Sequence, residues 1–551
     1  MDRSGRRTLF HVLLICAVIL LVNGNTLFFG FSIDDYPLIV NNSFVRNTAN
    51  IPRLLSPAYF PEAGQFSYRP VETLSYIIDY RLSGLNPFGY HVHNLLLALA
   101  GALLLYAYVR IASGSPHTAL LSALVFAVHP VNSEAISAVS YRNDPQVLVF
   151  ALTALCLHAR AARVSAPVRR HLLSALSLTA LAAALLTKES ALAIAGFLLL
   201  HEYALERRSL PGSLKAAWPF ITLTAVFLIL RFTLLRAPQE TYPEPLAERL
   251  YIVPRIFLLE LRQLFFPYPL RAYYQFHIPE ELFTGTTVLL YLVLVSVCAA
   301  YAFLFIRKPV SLQAHYAIFA FGWVLLSLVL VSNIYPLAWP YVEKYLYIPS
   351  AGLSVFLGYI AWRYCAPAGR PRIPALIALG AVLALTGLYS AGHNYGWSSQ
   401  LTYWQTAYRN ARNPLVCYNL ANSLAAAGRH GEAESLYKCA ITNHPRVYKR
   451  RAFRNVTPLA HCNLGALYLE RGNTDKARNH FEKALSRIPD LTPASVGAAV
   501  SSYKQGDTNS ALRYADNVLQ VEPDNPACLY IRGQLTDQTD SGGQRPEKQE
   551  K

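Results

Sequence analysis

Long apolar runs recur along this chain at a length that few soluble folds tolerate. A bilayer span needs about 20 mostly apolar residues. About eleven stretches approach that: 8–31, 91–111, 119–131, 146–162, 172–187, 191–205, 216–235, 287–306, 314–334, 350–362 and 373–392. Several are short, and polar ends facing a cavity can complete such spans. The 551 residues are 53% hydrophobic and only 15% charged, a balance that argues against a string of soluble domains. The first run lacks a small-residue cleavage site and reads as an uncleaved span. Arg3, Arg6 and Arg7 precede it and place the N-terminus inside.

A net charge of +17 would suit a nucleic-acid surface, but the position of the basic residues argues otherwise. Arg160, Arg163, Arg169 and Arg170 fall in one short loop, and Arg207 and Arg208 in another. Arg307 with Lys308, and Arg363 with Arg370 and Arg372, fill two more. Threading the spans puts every cluster on the inner side, where such residues set topology. No nucleic-acid partner is expected. An odd number of spans then leaves the C-terminal tail outside.

The outer loops differ in kind. The first opens on Ser32-Ile33-Asp34-Asp35-Tyr36, two adjacent acids at the rim of a membrane. Such groups are costly to desolvate and tend to be paired, wet or functional. Like charges side by side push one pKa up, which suits a base or a metal site. A solvated turn ending the helix is the plainer reading. The remaining outer loops hold Arg69; His129 and Glu134; Arg142 and Asp144; Lys188 and Glu189; and Glu343 and Lys344. Each has a structural alternative. Arg69 could anchor a surface helix at 74–85, His129 and Glu134 could cap a helix end, and Arg142 could pair with Asp144. Lys188 could pair with Glu189, and Tyr341, Tyr345 and Tyr347 could form an interfacial aromatic belt. Another surface or re-entrant helix is expected near 255–266.

The tail repeats itself. Leu420-Ala421, Leu424, Ala433, Tyr437, Ala440 and Pro445 are answered by Leu464-Gly465, Tyr468, Ala477, Phe481, Ala484 and Pro489. A third copy has Ala498-Ala499, Ser502, Ala511, Ala515, Val518 and Pro523. Small residues let paired helices approach and aromatics fill the gap, the pattern of a tetratricopeptide solenoid with a period of about 34 residues. A basic insertion, Arg446 to Arg454, separates the first two copies and could meet anionic lipid. A capping helix is expected at 527–535. Cys417, Cys439, Cys462 and Cys528 lie in this tail, and one disulfide there is compatible with the sequence, its pairing open.

The short stretches follow a recognisable order. Ser32-Ile33-Asp34-Asp35-Tyr36 with Ile39-Val40-Asn41-Asn42 comes first, then Tyr68-Arg69-Pro70-Val71 and Gly84-Leu85-Asn86-Pro87-Phe88-Gly89-Tyr90-His91. Phe126-Ala127-Val128-His129-Pro130 with Glu134-Ala135, Lys188-Glu189, and Glu343-Lys344-Tyr345-Leu346-Tyr347-Ile348-Pro349-Ser350 complete the series. In this order, and with the repeats behind them, they resemble the transmembrane-and-tetratricopeptide glycosyltransferases. These are GT-C-type membrane enzymes whose eukaryotic members are O-mannosyltransferases using dolichyl-phosphate mannose. Lys344 stands where the family pattern leads one to expect Arg, and Leu270-Arg271-Ala272-Tyr273-Tyr274 lacks an expected acid.

The resemblance implies an all-α fold: a polytopic GT-C-like bundle over 1–394, an extracytoplasmic tetratricopeptide domain over 395–536, and a disordered tail over 537–551. It implies an inverting transfer of a hexose, mannose foremost, from a polyprenyl phosphate to protein hydroxyls held by the repeats. Asp34 would be the base, with Asp35 orienting it or holding a metal. A divalent cation is compatible with this chemistry but not required by the sequence. Arg69, Arg142, Lys188 and Lys344 would offset the phosphate charge, with His129, Glu134, Asp144, Glu189 and Glu343 around the substrate. Short loops favour a bacterial inner membrane with its active face in the periplasm. Two rivals remain: a membrane scaffold built on an inactive core, and a lipid-linked sugar flippase. The flippase reading calls for charges in mid-span rather than at span ends.

Overall fold

The computed structural model describes residues 3–56, 59, 67–233, 245–307, 311–334, 337, 339–367, 372–442 and 456–541. Among these the regular elements are helices. It divides into two units, Met1–Tyr274 with Pro279–Tyr403, and Gln275–Ile278 with Trp404–Lys551.

The first unit contains α1 (Arg3–Asn23), α2 (Pro70–Ser83), α3 (Pro87–Ser113), α4 (Pro116–Val128), α5 (Ser133–Ser137) and α6 (Asn143–Ala161). It continues through α7 (Pro167–Leu185), α8 (Ala193–Leu200), α9 (Leu210–Thr233) and α10 (Leu246–Phe265). Then come α11 (Gly285–Ile306), α12 (Leu312–Val331), α13 (Tyr347–Cys365) and α14 (Ile373–Asn394). Local chemistry sets the ends. Asn86 accepts from Phe88 N–H before Pro87 opens α3, and Gly114 closes it at φ 68°. Ser115 caps α4 through Thr118 N–H.

Among the described residues each of the eleven apolar runs falls largely on helix. Among the described residues seven helices are long and apolar enough to cross a membrane, or eight if Pro116–Val128 and Pro130–Ser137, bent by 58°, count as one. The runs at 146–162 and 172–187 fall short because α6 and α7 carry polar or basic ends, and α8 is only 8 residues long. The chain is a multi-pass membrane protein. Its core sets α6 against α3 and α7, and α13 against α4 and α12. A Cβ on Gly358 of α13 would collide with the Ser122 backbone of α4, so that close approach requires glycine. Phe197 stacks on Trp323 at 3.8 Å, and Trp323 Nε1–H donates to Ile348 O at 2.8 Å.

The second unit pairs α16 (Pro414–Ala426) with α17 (His430–Thr442), α18 (Val456–Glu470) with α19 (Thr474–Leu485), and α20 (Thr492–Lys504) with α21 (Thr508–Val521). These follow α15 (Gln400–Asn410), and α22 (Pro526–Ser541) packs on α21. Each pair turns on a glycine of positive φ: Gly428, Gly472 and Gly506. Ala433, Tyr437, Ala440, Ala477, Phe481, Ala484, Ala511, Ala515 and Val518 are buried, as their spacing in the sequence leads one to expect. The final helix reaches Ser541, past the expected end of the cap at 535. Residues 542–551 and the basic insertion at 446–454 lie outside the described residues.

Cys417 and Cys439 are disulfide-bonded across the first helix pair. Closing a loop of this size stabilises by about 3 kcal/mol in the chain-entropy account. Cys439→Ser is therefore expected to lower the unfolding midpoint of the repeats, with reduction of the wild type giving the same fall. A midpoint insensitive to reductant would mean the bond does not form.

Candidate active site

The Asp pair sits on a loop tied down at both sides. Asn25 Nδ2 donates to Ala391 O at 2.9 Å and Asn394 Nδ2 donates to Val22 O at 3.0 Å, locking the end of α1 to the end of α14. Ile33, just before the acids, has φ 42°. A β-branched residue is strained there by roughly 1–3 kcal/mol. Ile33→Gly is expected to remove that strain and raise the unfolding midpoint while slowing any chemistry that needs Asp34 held in place. A lower midpoint would show that Ile33 packing outweighs its strain.

The two acids have different surroundings. Asp35 is 0% exposed. Its Oδ2 accepts from Ser32 N–H at 2.8 Å and its Oδ1 from Ser140 N–H at 2.7 Å, stitching the first loop to the segment before α6. Burial raises its pKa to about 6 against the pull of those hydrogen bonds, with Asp34 adding to the rise. The native state thus holds a proton that the unfolded chain releases from about pH 4, so this group's contribution falls as pH rises through about 4 to 6. Asp35→Asn is expected to flatten that slope in pH-resolved thermal unfolding. An unchanged slope would assign it to other groups. Asp34, by contrast, is half-buried, and its carboxylate makes no hydrogen bond to any described residue.

Cations and acids from distant loops gather beside it. Lys344 is close enough to Asp34, Lys188, Glu134 and Asp144 to feel their charges. Its Nζ lies 3.1 Å from the centroid of the Tyr141 ring, and its backbone N–H donates to Glu134 Oε2 at 2.8 Å. Lys188 Nζ contacts Asp144 Oδ2 at 2.6 Å rather than Glu189. Arg69 reaches Glu189 at 3.4 Å and Glu72 at 3.7 Å, and Arg231 reaches Glu189 at 3.5 Å. Burial alone would raise the Glu189 carboxyl, but Arg69, Arg231 and Lys188 outweigh it and hold it below its ordinary value. Arg231 is inconspicuous in the sequence because it lies inside the apolar run 216–235, although one charge near a span end is itself a signal.

Three expected residues are engaged elsewhere. Arg142 is 0% exposed and does not pair with Asp144. Its guanidinium binds Asp79 of α2, Ser75 Oγ at 3.3 Å and Tyr90 O at 3.2 Å. His129 stands at the C-cap of α4 but its side chain turns away from Glu134, Nε2–H donating to Leu264 O at 3.0 Å. Glu343 is saturated by Arg271 N–H and Tyr274 O–H, each at 2.7 Å, and by His393 at 2.7 Å. Two of these partners, Arg271 and Tyr274, belong to the stretch 270–274 that lacks an acid of its own. Among the described residues no three His, Cys, Asp or Glu side chains group to hold a metal ion.

The tetratricopeptide repeat pattern matches residues 414–490 and again 468–535. The chain is 24% identical over 530 residues to the human protein O-mannosyl-transferase TMTC3, covering 89% of this chain and 56% of that protein. It is 24% identical to Drosophila melanogaster Tmtc3, covering 89% and 60%. A shorter match to human TMTC2 is 37% identical over 91 residues, 16% of this chain and 11% of that one. The chain thus spans little more than half the length of the first two relatives. Among solved structures, ArnT from Cupriavidus metallidurans bound to undecaprenyl phosphate aligns over 89% of this chain and 81% of its own, at 16% identity and a TM-score of 0.38, too low to carry an argument. Along nearly its whole length, through membrane helices and then these repeats, the chain is similar to the TMTC proteins.

Proposed function

We propose that the protein is a membrane glycosyltransferase of the GT-C type that moves a hexose from a polyprenyl phosphate to a hydroxyl on a protein acceptor. The single observation behind this is a half-buried carboxylate, Asp34, that bonds to no described residue and lies beside the Lys344 ammonium, with its neighbour Asp35 fixed by two backbone N–H groups. Asp34 takes the proton of the acceptor hydroxyl as that oxygen bonds to C1 of the sugar. The C1–O bond to phosphate breaks, its electron pair leaves on the phosphate, and C1 inverts. Lys344, Lys188, Arg69 and Arg231 supply positive charge to the departing phosphate. Arg69 and Arg231 converge on Glu189 at 3.4 and 3.5 Å, and a phosphate could take over that partner's role. The names of the O-mannosyl-transferase relatives make mannose the first sugar to test.

We place the Asp34 face and the repeats outside the cytoplasm, in a periplasm on the bacterial reading, with the eleven-span topology. Inner-side Arg clusters support this, and a disulfide in the first repeat suits an oxidising compartment. Stacked helix pairs offer a groove for extended polypeptide, which makes the repeats the acceptor-binding element.

The test is sugar transfer from labelled polyprenyl-phosphate hexoses to extracytoplasmic protein, by wild type and Asp34→Ala reconstituted in lipid. Transfer by wild type that collapses in the variant supports the reading. Transfer by neither, with both folded, leaves the scaffold in its place.

A further inference from the structure

Buried polar atoms without a partner are rare in folded proteins, and each calls for an account. Helix α10 holds the most demanding case. Glu260 is 0% exposed, and neither carboxylate oxygen has a hydrogen-bond partner among the described residues. Gln263 Oε1, the Tyr341 hydroxyl and His129 Nδ1 are likewise buried and unpartnered there. Gln263 lies one turn beyond Glu260, on the same side of the helix. The Tyr341 and Tyr345 hydroxyls are both close enough to feel the Glu260 charge.

This group adjoins the candidate active site by three routes. Leu264, one turn beyond Glu260, accepts the His129 hydrogen bond at 3.0 Å. Gln263 Nε2–H donates to the Tyr274 hydroxyl at 3.4 Å, and that hydroxyl donates to Glu343, the neighbour of Lys344. Tyr345 has the Lys188 ammonium 5.5 Å from its ring centroid.

An isolated carboxylate is not stable in such a place. Burial pushes the Glu260 carboxyl well above the ordinary range, which favours its protonated form, able both to donate and to accept. A neutral acid, an amide oxygen and a phenol suit alternating donors and acceptors. A phosphate would need cations here, and a polyprenyl chain would need apolar walls.

We propose that Glu260, Gln263 and Tyr341 receive the ring hydroxyls of the transferred sugar, with Glu260 the specificity-determining group. This rests on the transferase reading above. The same chemistry would suit an acceptor hydroxyl, and the test separates the two.

Thermal unfolding of the full chain in lipid is followed with polyprenyl-phosphate mannose and with bare polyprenyl phosphate, for wild type, Glu260→Gln and Glu260→Leu. Bare lipid should bind all three alike. The sugar-bearing lipid should bind wild type more tightly than bare lipid, and Glu260→Leu should lose that excess by about tenfold or more. Without ligand, Glu260→Leu should be no less stable, since it replaces an unpartnered acid by an apolar side chain. If Leu does not fold, Glu260→Gln carries the test. It should narrow the discrimination between mannose and glucose donors by about tenfold. An unchanged excess and unchanged discrimination overturn the proposal, as does a change confined to acceptor KM. Binding of neither lipid by wild type is a distinct outcome that fells the transferase reading and this one with it.

Discussion

Asp34→Asn is expected to lower kcat for sugar transfer by about 10²–10⁴-fold, the range for removing a general base, while leaving the unfolding midpoint where it was. The two halves of the prediction come from one fact. The Asp34 carboxylate makes no hydrogen bond to a described residue, so replacing it strands no partner. It nevertheless sits where Lys344 feels its charge. The neighbouring position should behave in the opposite way. Asp35→Ala strands the N–H groups of Ser32 and Ser140 in a buried place, at roughly 1–3 kcal/mol each. Its loss of activity should therefore follow loss of structure. Donor binding, measured apart from turnover, should survive in Asp34→Asn because the cations proposed to meet the phosphate are untouched. Wild-type kcat in Asp34→Asn would end the assignment. So would a fall in midpoint matching the fall in rate, since that would make Asp34 a second anchor.

Much of this arrangement is legible in the sequence because charges are conspicuous where a chain is mostly apolar. Asp34, Glu134 and Lys188 follow apolar runs and Lys344 precedes one, and the cost of a charge at a span end is enough to mark them. The helices are legible for the same reason, and the repeats through their alternation of small and aromatic residues. Partners are not. Arg142 and Asp144 are neighbours in sequence, which makes a pair between them the economical guess. They stand two positions apart in the first turn of α6, on nearly opposite sides of it, and point to different elements, Arg142 to Asp79 in α2 and Asp144 to Lys188 after α7. Glu189 likewise takes Arg69 and Arg231 instead of Lys188. Helix packing decides such pairings, and a single sequence holds no record of which helix ends meet. Glu260 is hidden for another reason. In an amphipathic helix that also carries Glu248, Arg249, Arg255 and Arg262, a buried acid looks like any solvated one.

The pairing of Arg142 with Asp79 carries the largest expected effect on stability. Arg142→Met should cost about 3–5 kcal/mol, because it leaves a buried Asp79 without its cation. Among the described residues Asp79 then keeps only His93, at 2.8 Å and with a partly exposed ring. The guanidinium also fills a shaped place. Its centre lies 5.0 Å from the Tyr76 ring centroid and 5.8 Å from that of Tyr90, with Val139 O at 3.3 Å and Tyr90 O at 3.2 Å as acceptors. Lysine cannot reproduce that planar fork, so Arg142→Lys should recover only part of the loss. Replacing both partners, Arg142→Met with Asp79→Leu, should restore most of it, since no charge is then stranded. Unfolding midpoints of the four proteins in one detergent complete the cycle. If Arg142 instead holds donor phosphate, Arg142→Lys would raise donor KM with an unchanged midpoint, and Asp79→Leu would not rescue Arg142→Met. The geometry favours the stability outcome, because all the acceptors around the guanidinium belong to the protein and none of its surface reaches solvent.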